Sequence, residues 1–286
     1  MAMPGAISPA PVSVVVPCYR CKASIRSAIA SVHSQTLPAA EVILVDDGSG
    51  DGTLEILEEL ASAYAPGWIR VIALGMNCGP SRARNRGWEA STQPYLAFLD
   101  ADDSWHPRKL ELQFAAIRAD PTIALLGHRA DIRQVDTAPA PLLLPGSLRF
   151  VGLPELLLRN PFPTPSVLLR RDLPFRFDEG RRRVEDYLLW AQIVLTGHRA
   201  AVLDLALAHL HKPAFGSAGL SGDIEAMYQA GREVRNQLAA AGLLTPVQAK
   251  VAHAIAALKH ARRRVILQYC RYRAPRPSGV DREPLR

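Results

Sequence analysis

Cysteine is scarce. Four in 286 residues, at irregular spacing, make no disulfide framework, and the cytosol is the expected compartment. No apolar run approaches the roughly 18 residues that a membrane-spanning helix needs. Met1 to Pro11 lacks a cationic stretch, and the apolar Val12 to Val16 run stops at Pro17, so no signal peptide is expected. No repeat period is visible. The Rossmann phosphate fingerprint is also missing, because no G-x-G-x-x-G follows the first apolar strand. A basic surplus is absent from most of the chain. From Lys250 onward, ten Lys or Arg stand against Asp281 and Glu283, a surplus of eight in a chain of net charge +7. The rest is therefore close to neutral, which excludes a nucleic-acid-binding core with a basic face.

What is present suits one large globular domain with an appendage: 48% hydrophobic and 21% charged residues, enough to bury a sizeable core. Val12 to Val16 reads as a β-branched strand, and Ile25, Ala28, Ile29 and Val32 recur at helical spacing. Glu41 to Val45 is a second strand, followed by a helix marked by Leu54, Leu57, Leu60, Ala61 and Tyr64. Trp68 to Leu74, Ser81 to Ser91 and Tyr95 to Leu99 read as strand, helix and strand. This alternation predicts an α/β fold with a parallel sheet and right-handed crossovers.

Two of these strands end in carboxylates. Tyr95 to Leu99 runs into Asp100-Ala101-Asp102-Asp103, at the strand end where open α/β sheets place their ligands. Three carboxylates so close repel one another unless a cation sits among them. Mg²⁺ is commonly held by one or two carboxylates plus substrate phosphates. The competing explanation is a solvated acidic turn. The second strand ends in Asp46-Asp47-Gly48-Ser49-Gly50-Asp51-Gly52. Here a carboxylate can accept from a ribose hydroxyl or a base N–H, while Asp51 is expected to cap the next helix. Gly79-Pro80-Ser81, with Arg82, Arg84 and Asn85 behind it, is a helix start rich in donors for an anion.

The blocks Val14 to Arg20, Val45 to Thr53, Gly79 to Gly87, Leu99 to Asp103, and Phe177 to Glu179 with Val184 to Trp190 resemble, in this order, the motifs of family-2 glycosyltransferases. The resemblance covers about residues 12 to 212. It implies a GT-A fold, which is Rossmann-like: a mostly parallel sheet flanked by helices, here with a C-terminal helical extension. It also implies a nucleotide-diphosphate-sugar donor and inversion at the anomeric carbon. Transferred position by position, Pro17 and Tyr19 border the nucleotide, Asp47 contacts the base with Asp46 beside it, and Arg84 joins the nucleotide-sugar set. Asp100 meets the ribose or the metal, and Asp102 binds Mg²⁺ or Mn²⁺. His211, or alternatively His209, approaches that metal, and Asp186 is the general base. Cys18 and Arg20 depart from the family pattern, and Ala214 to Asp223 only loosely resembles its acceptor-side loop.

The expected activity is thus a metal-dependent, hexosyltransferase-type reaction in bacterial surface polysaccharide or glycolipid synthesis. A UDP-sugar is the first choice of donor, and the acceptor is a glycan or a lipid-linked glycan. The chemistry stands beside the resemblance: an alcohol nucleophile needs its proton taken as the new bond forms. Glu185-Asp186 opens an amphipathic helix, where Glu185 is expected to favour the helix dipole. Two other classes compete. Cys18-Tyr19-Arg20-Cys21 is C-x-x-C at a strand-to-helix junction, as in thioredoxin-like redox proteins. A metal-dependent D-x-D phosphatase is the other.

The expected organisation is a flexible N-terminus (1–11) and a GT-A domain (12–212), split into a nucleotide-binding half (12–105) and an acceptor half (106–212). A loop and helical extension (213–273) and a disordered basic tail (274–286) follow. In the extension, Val247, Val251, Ile255, Leu258, Val265 and Tyr269 form an apolar face beside Arg262-Arg263-Arg264. That face either packs on the domain or touches an anionic membrane peripherally, at the inner face of the cytoplasmic membrane.

Overall fold

The computed structural model describes residues 8–133, 142, 146–211 and 223–273, with side chains to residue 266 in the last segment. The expected acceptor-side loop before Asp223, the N-terminus up to residue 7 and the tail from residue 274 lie outside the described residues.

The first half alternates as its periodicity predicts: β1 (Ala10–Cys18), α1 (Ile25–His33), β2 (Ala39–Asp46), α2 (Thr53–Ala63), β3 (Ile69–Ala73), α3 (Pro80–Ala90) and β4 (Tyr95–Phe98). The second half continues with β5 (Asp103–Trp105), α4 (Lys109–Ala119), β6 (Ile123–Ile132), β7 (Leu148–Phe150), α5 (Leu153–Leu158), β8 (Leu168–Arg170), α6 (Glu185–Leu195) and β9 (Arg199–Leu210). Two helices close the chain, α7 (Ile224–Ala240) and α8 (Pro246–Arg273).

One sheet organises them, in the order β3-β2-β1-β4-β8-β6-β9-β5, with β7 paired to β9. Strands β3, β2, β1 and β4 are parallel. The sheet is mostly parallel, as the resemblance implies, and departs from that at β8, which runs antiparallel to both β4 and β6. Apolar spacing marks a strand but not its direction, and Leu168–Arg170 is too short to show more. The result is a mixed sheet, parallel throughout its nucleotide half and flanked by helices.

The β1 run is apolar without alternation because both faces of the sheet are covered. Val14 and Val16 meet Ile25 and Ile29 of α1 and Leu57 of α2 on one face. Val15, one residue out of phase, meets Trp88 of α3 and Leu189 and Trp190 of α6 on the other. Helix α3 approaches β1 closely, since a Cβ at Gly87 would overlap Cγ1 of Val15. Gly87→Ala should therefore cost about 1–3 kcal/mol of stability by overpacking, although alanine is the better helix former. The check is the denaturant midpoint. An unchanged midpoint would mean that Val15 yields freely.

Strand order reverses beside β1: β2 and β3 lie on one side and β4 on the other. The crevice beyond the carboxyl ends of β1 and β4 is the switch point where such sheets bind ligands.

Candidate active site

A cleft of about 600 Å³ opens at that switch point, within the usual size of a small-molecule site. Pro17, Cys18, Tyr19 and Arg20 from the end of β1 form one wall, and Asp100, Ala101 and Asp102 from the end of β4 form another. Asp47, Gly79, Pro80 and Arg84 complete it from the β2 loop and the start of α3. The Tyr19 ring is 45% exposed and stands 5.3 Å from the Arg20 guanidinium.

The loops after β1 and β2 are stitched together. The Arg20 N–H donates to Ser49 Oγ at 3.0 Å, and Ser49 Oγ donates in turn to Asp46 Oδ1 at 2.5 Å. Asp46 also accepts from the Ser49 N–H. Asp46, expected beside Asp47 in the nucleotide-sugar set, has its buried carboxylate taken up by the turn it closes and is not among the residues lining the cleft. Asp47 does line it. Its two oxygens accept the Cys78 and Gly79 amides at 2.7 and 2.8 Å, which fixes the loop leading into α3. Gly48, at φ +67°, sits where a Cβ would strike the Met76 backbone, so only glycine allows the two loops to meet. Asp51, expected to cap α2, sits one residue before the N-cap position, which Gly52 fills without a side-chain hydrogen bond. Its Oδ1 instead accepts from the Thr53 N–H at 3.2 Å and from Thr53 Oγ1 at 2.7 Å.

The α3 block divides its labour. The Asn85 amide clamps the backbone of one residue, donating to the Phe177 carbonyl at 2.8 Å and accepting the Phe177 N–H at 3.0 Å. That clamp anchors the loop that runs to α6. Arg84, nearly buried, donates through Nη2 to Asp100 Oδ1 at 2.8 Å and through Nη1 to Glu185 Oε1 at 2.9 Å. Burial alone would lower its pKa, but the Asp100 and Glu185 charges outweigh this and raise it. One buried cation thus joins the β4 carboxylates to the start of α6. Glu185, expected to serve the helix dipole, is the partner of this cation.

At the end of β4, Asp100 and Asp102 face the cleft, while Asp103 turns inward as the first residue of β5. Burial, reinforced by the Asp100 charge, pushes the Asp103 carboxyl up to about 8. Asp186 lies at the edge of this cluster, close enough to feel both Arg84 and Asp100. Burial first, and the neighbouring Glu185 charge second, push it up to about 6. Its Oδ2 accepts from Asn160 Nδ2 at 2.9 Å. The residue before the pair, Val184, has φ +61°, a strained conformation for a β-branched residue and one that gathers at functional sites.

Of the residues named from sequence, Pro17, Tyr19, Asp47, Arg84, Asp100 and Asp102 come together in one cleft; Asp186 is not among the lining residues but is near enough to feel the Arg84 and Asp100 charges. His211 does not line it. Its Nε2 pairs with Ser104 Oγ at 2.9 Å and its Nδ1 with the Arg133 carbonyl at 3.0 Å. His209 is bound to Asp131 at 2.5 Å. Among the described residues no three His, Cys, Asp or Glu side chains converge as ready-made metal ligands. Sequence reasoning missed Asn77 and Arg182, both in the cleft wall. Arg182 could have been noticed in the Arg181-Arg182-Arg183 run just before Glu185. Asn160 carries no sequence signal.

Comparison with known proteins agrees with this architecture. Over 266 residues the chain is 31% identical to the succinoglycan biosynthesis protein ExoO of Rhizobium meliloti, covering 86% of this chain and 74% of that one. With TuaG of Bacillus subtilis, a glycosyltransferase named for teichuronic acid biosynthesis, it is 41% identical over 102 residues. Those are 36% of this chain and only 40% of TuaG. The fold matches that of S. aureus TarS 1-349 in complex with UDP-GlcNAc, with a TM-score of 0.63 at 23% identity, over 79% of this chain and 66% of that one. The model of the family described as Glycosyl transferase family 2 matches residues 13–177, and the chain belongs to that family.

Proposed function

We propose that this protein is an inverting glycosyltransferase that moves a sugar from a nucleotide diphosphate to a hydroxyl of a growing surface polysaccharide or lipid-linked glycan. The observation that carries the reading is the convergence of Asp47, Arg84, Asp100 and Asp102 on one switch-point cleft, with the raised carboxyl of Asp186 within electrostatic reach of Arg84 and Asp100. The succinoglycan and teichuronic acid names of two relatives support the polymer, and the UDP-GlcNAc complex of TarS supports a uridine donor. A redox role finds no such support. Cys18 and Cys21 are both buried; burial pushes the Cys18 thiol well up, while the hydrogen bond with Cys18 lowers that of Cys21. Nothing supports a phosphatase either.

In the proposed reaction Tyr19 and Asp47 hold the nucleoside at the ends of β1 and β2. Asp186 takes the proton of the acceptor hydroxyl as that oxygen attacks the anomeric carbon, opposite the departing diphosphate. Its raised pKa suits this task, since a base poised near the working pH is the effective one. Arg84 keeps Asp100 and Glu185 in place on either side of the reacting centre.

The donor set at the end of β4 fits a hard cation. Asp100 and Asp102 bring carboxylate oxygens to the cleft, the donor type such an ion takes. Asp102, with Asp100 beside it, would hold Mg²⁺ or Mn²⁺, and the remaining ligands would come from the diphosphate and water. When bound, the ion neutralises charge on the leaving diphosphate. His211 would join only after leaving Ser104. With a lipid-linked acceptor the enzyme would work at the inner face of the cytoplasmic membrane. No described helix is long and apolar enough to cross it.

The test is nucleoside diphosphate release across a panel of sugar nucleotides, with and without chelator. Release from one UDP-sugar that stops in chelator and returns with Mn²⁺ or Mg²⁺ is expected. Asp102→Ala should lower donor binding and turnover together. Release unaffected by excess chelator would remove the metal from the scheme, and no release from any donor would remove the activity.

A further inference from the structure

Exposed apolar side chains are concentrated on one element. Val247, Val251, Leu258 and Val265 of α8 are 70, 43, 73 and 64% exposed. Ala254 and Ala261, also exposed, fall between them, so the six recur every four and three residues and share one face. The opposite side of α8 faces the protein. There Ala252 is buried, His253 pairs with Asn236 of α7 at 3.0 Å, and His260 stacks on Tyr228 and pairs with Glu225. Helix α8 is held through Ala249 and Ala252 together with His253 and His260, and turns its apolar stripe outward. The sequence left open whether the apolar side of α8 packs on the domain; in the structure Ile255 is half-buried, while Val247, Val251, Leu258 and Val265 are exposed.

Charge selects what covers the stripe. Helix α8 contains no Asp or Glu. Lys250 and Arg264 flank one side of the stripe, and Arg262 and Lys259 the other. Arg159, just past α5, adds its charge near Lys259, and the neighbouring Leu158 is 52% exposed. Pairing of this stripe with a second copy would set these cations against their own counterparts, at the flanking positions where coiled coils place opposite charges. An anionic lipid surface has the opposite character: an acyl boundary for the stripe and phosphates within reach of the snorkelling cations.

We propose that α8 is a docking surface for an anionic phospholipid leaflet, lying flat with Val251, Leu258 and Val265 at the headgroup boundary. The proposal deepens the functional reading and rests on it only for the acceptor met at that surface. It also places the opposite side of α8, and the domain behind it, away from the lipid.

The experiment is co-sedimentation of the full chain with phosphatidylcholine vesicles, with and without about 40 mol% phosphatidylglycerol. The wild-type chain should pellet with the anionic vesicles only, and release as salt screens the charges. The double variant L258E/V265E should lose binding. R262E/R264E should weaken it by well over tenfold, since each cation near an anionic leaflet strengthens binding about fivefold. All four positions are exposed and lie outside the cleft, so nucleoside diphosphate release should be unchanged in both variants. Undiminished binding of L258E/V265E, or equal binding of the wild-type chain to neutral vesicles, would overturn the proposal. So would a solution dimer that L258E/V265E dissolves, which would assign the stripe to a second copy. Absence of diphosphate release from every form would sink the enzymatic reading and leave the vesicle result standing.

Discussion

Asp186→Asn should lower sugar transfer by about 10²- to 10⁴-fold, the usual worth of a general base, while leaving donor affinity nearly unchanged. The amide keeps the shape of the side chain but cannot accept the acceptor's proton. The donor is held elsewhere, at the ends of β1, β2 and β4. Folding provides a second readout. The Asp186 pKa is raised from the ordinary carboxyl range to about 6 by burial and by Glu185. The folded state therefore binds this proton more tightly than the unfolded chain. The resulting stabilisation is complete below pH 4 and is lost as pH rises through about 6. At pH 7 the ionised carboxylate costs the fold on the order of 1–2 kcal/mol after solvent screening. Asp186→Asn should thus raise the melting temperature while it abolishes transfer, and the wild-type rate should fall on an acid limb centred near pH 6. Titration calorimetry for the donor, calorimetric melting and a pH–rate profile check the three parts. Glu185→Gln should cost far less in rate. If Glu185→Gln is the inactive variant and Asp186→Asn is active, the roles are exchanged. If both lose donor binding, this segment holds the fold and the base lies elsewhere.

Arg84→Met should destabilise the protein by about 3–5 kcal/mol, because it leaves the Asp100 and Glu185 carboxylates facing each other without their shared cation. For a domain of this size that is a melting shift of about 10 °C. Donor affinity should fall as well, since Asp100 and Asp102 line the same cleft as Arg84. Arg84→Lys should rescue little. An ammonium lacks the fork that reaches two carboxylates at 2.8 and 2.9 Å from one planar group. The double variant Arg84→Met/Glu185→Gln should recover part of the stability lost in Arg84→Met, because one orphaned charge is removed. Additive losses in the double variant would show that the Arg84–Glu185 pair contributes nothing to coupling the two halves.

The local readings held where burial is decided by near neighbours. Ile25, Ala28, Ile29 and Val32, picked from a 3.6-residue period, are the four buried residues of α1. The β1 and β4 runs and the acidic ends of β2 and β4 fell where their composition put them. Less local facts escaped. Asp46 and Asp47 are adjacent and chemically identical, yet one closes a turn on Ser49 and the other holds amides 31 and 32 residues away. Asn160 reaches Asp186 across 26 positions and a change of element.

By itself, then, the sequence determined the alternation of strands and helices, the carboxylate-bearing strand ends and the family. Each depends on residue type within a few positions, through side-chain period and turn chemistry. Only the tertiary structure decided which carboxylates meet Arg84, which way β8 runs, and which face of α8 is left uncovered. Those outcomes depend on partners brought close by the sheet, such as Glu185 at 101 residues from Arg84. The α8 stripe makes the reason plain: an apolar period says that a helix has two unlike sides. Which side faces the domain was settled by partners distant in sequence: the core that receives Ala249 and Ala252, and Asn236, Tyr228 and Glu225, which bind His253 and His260.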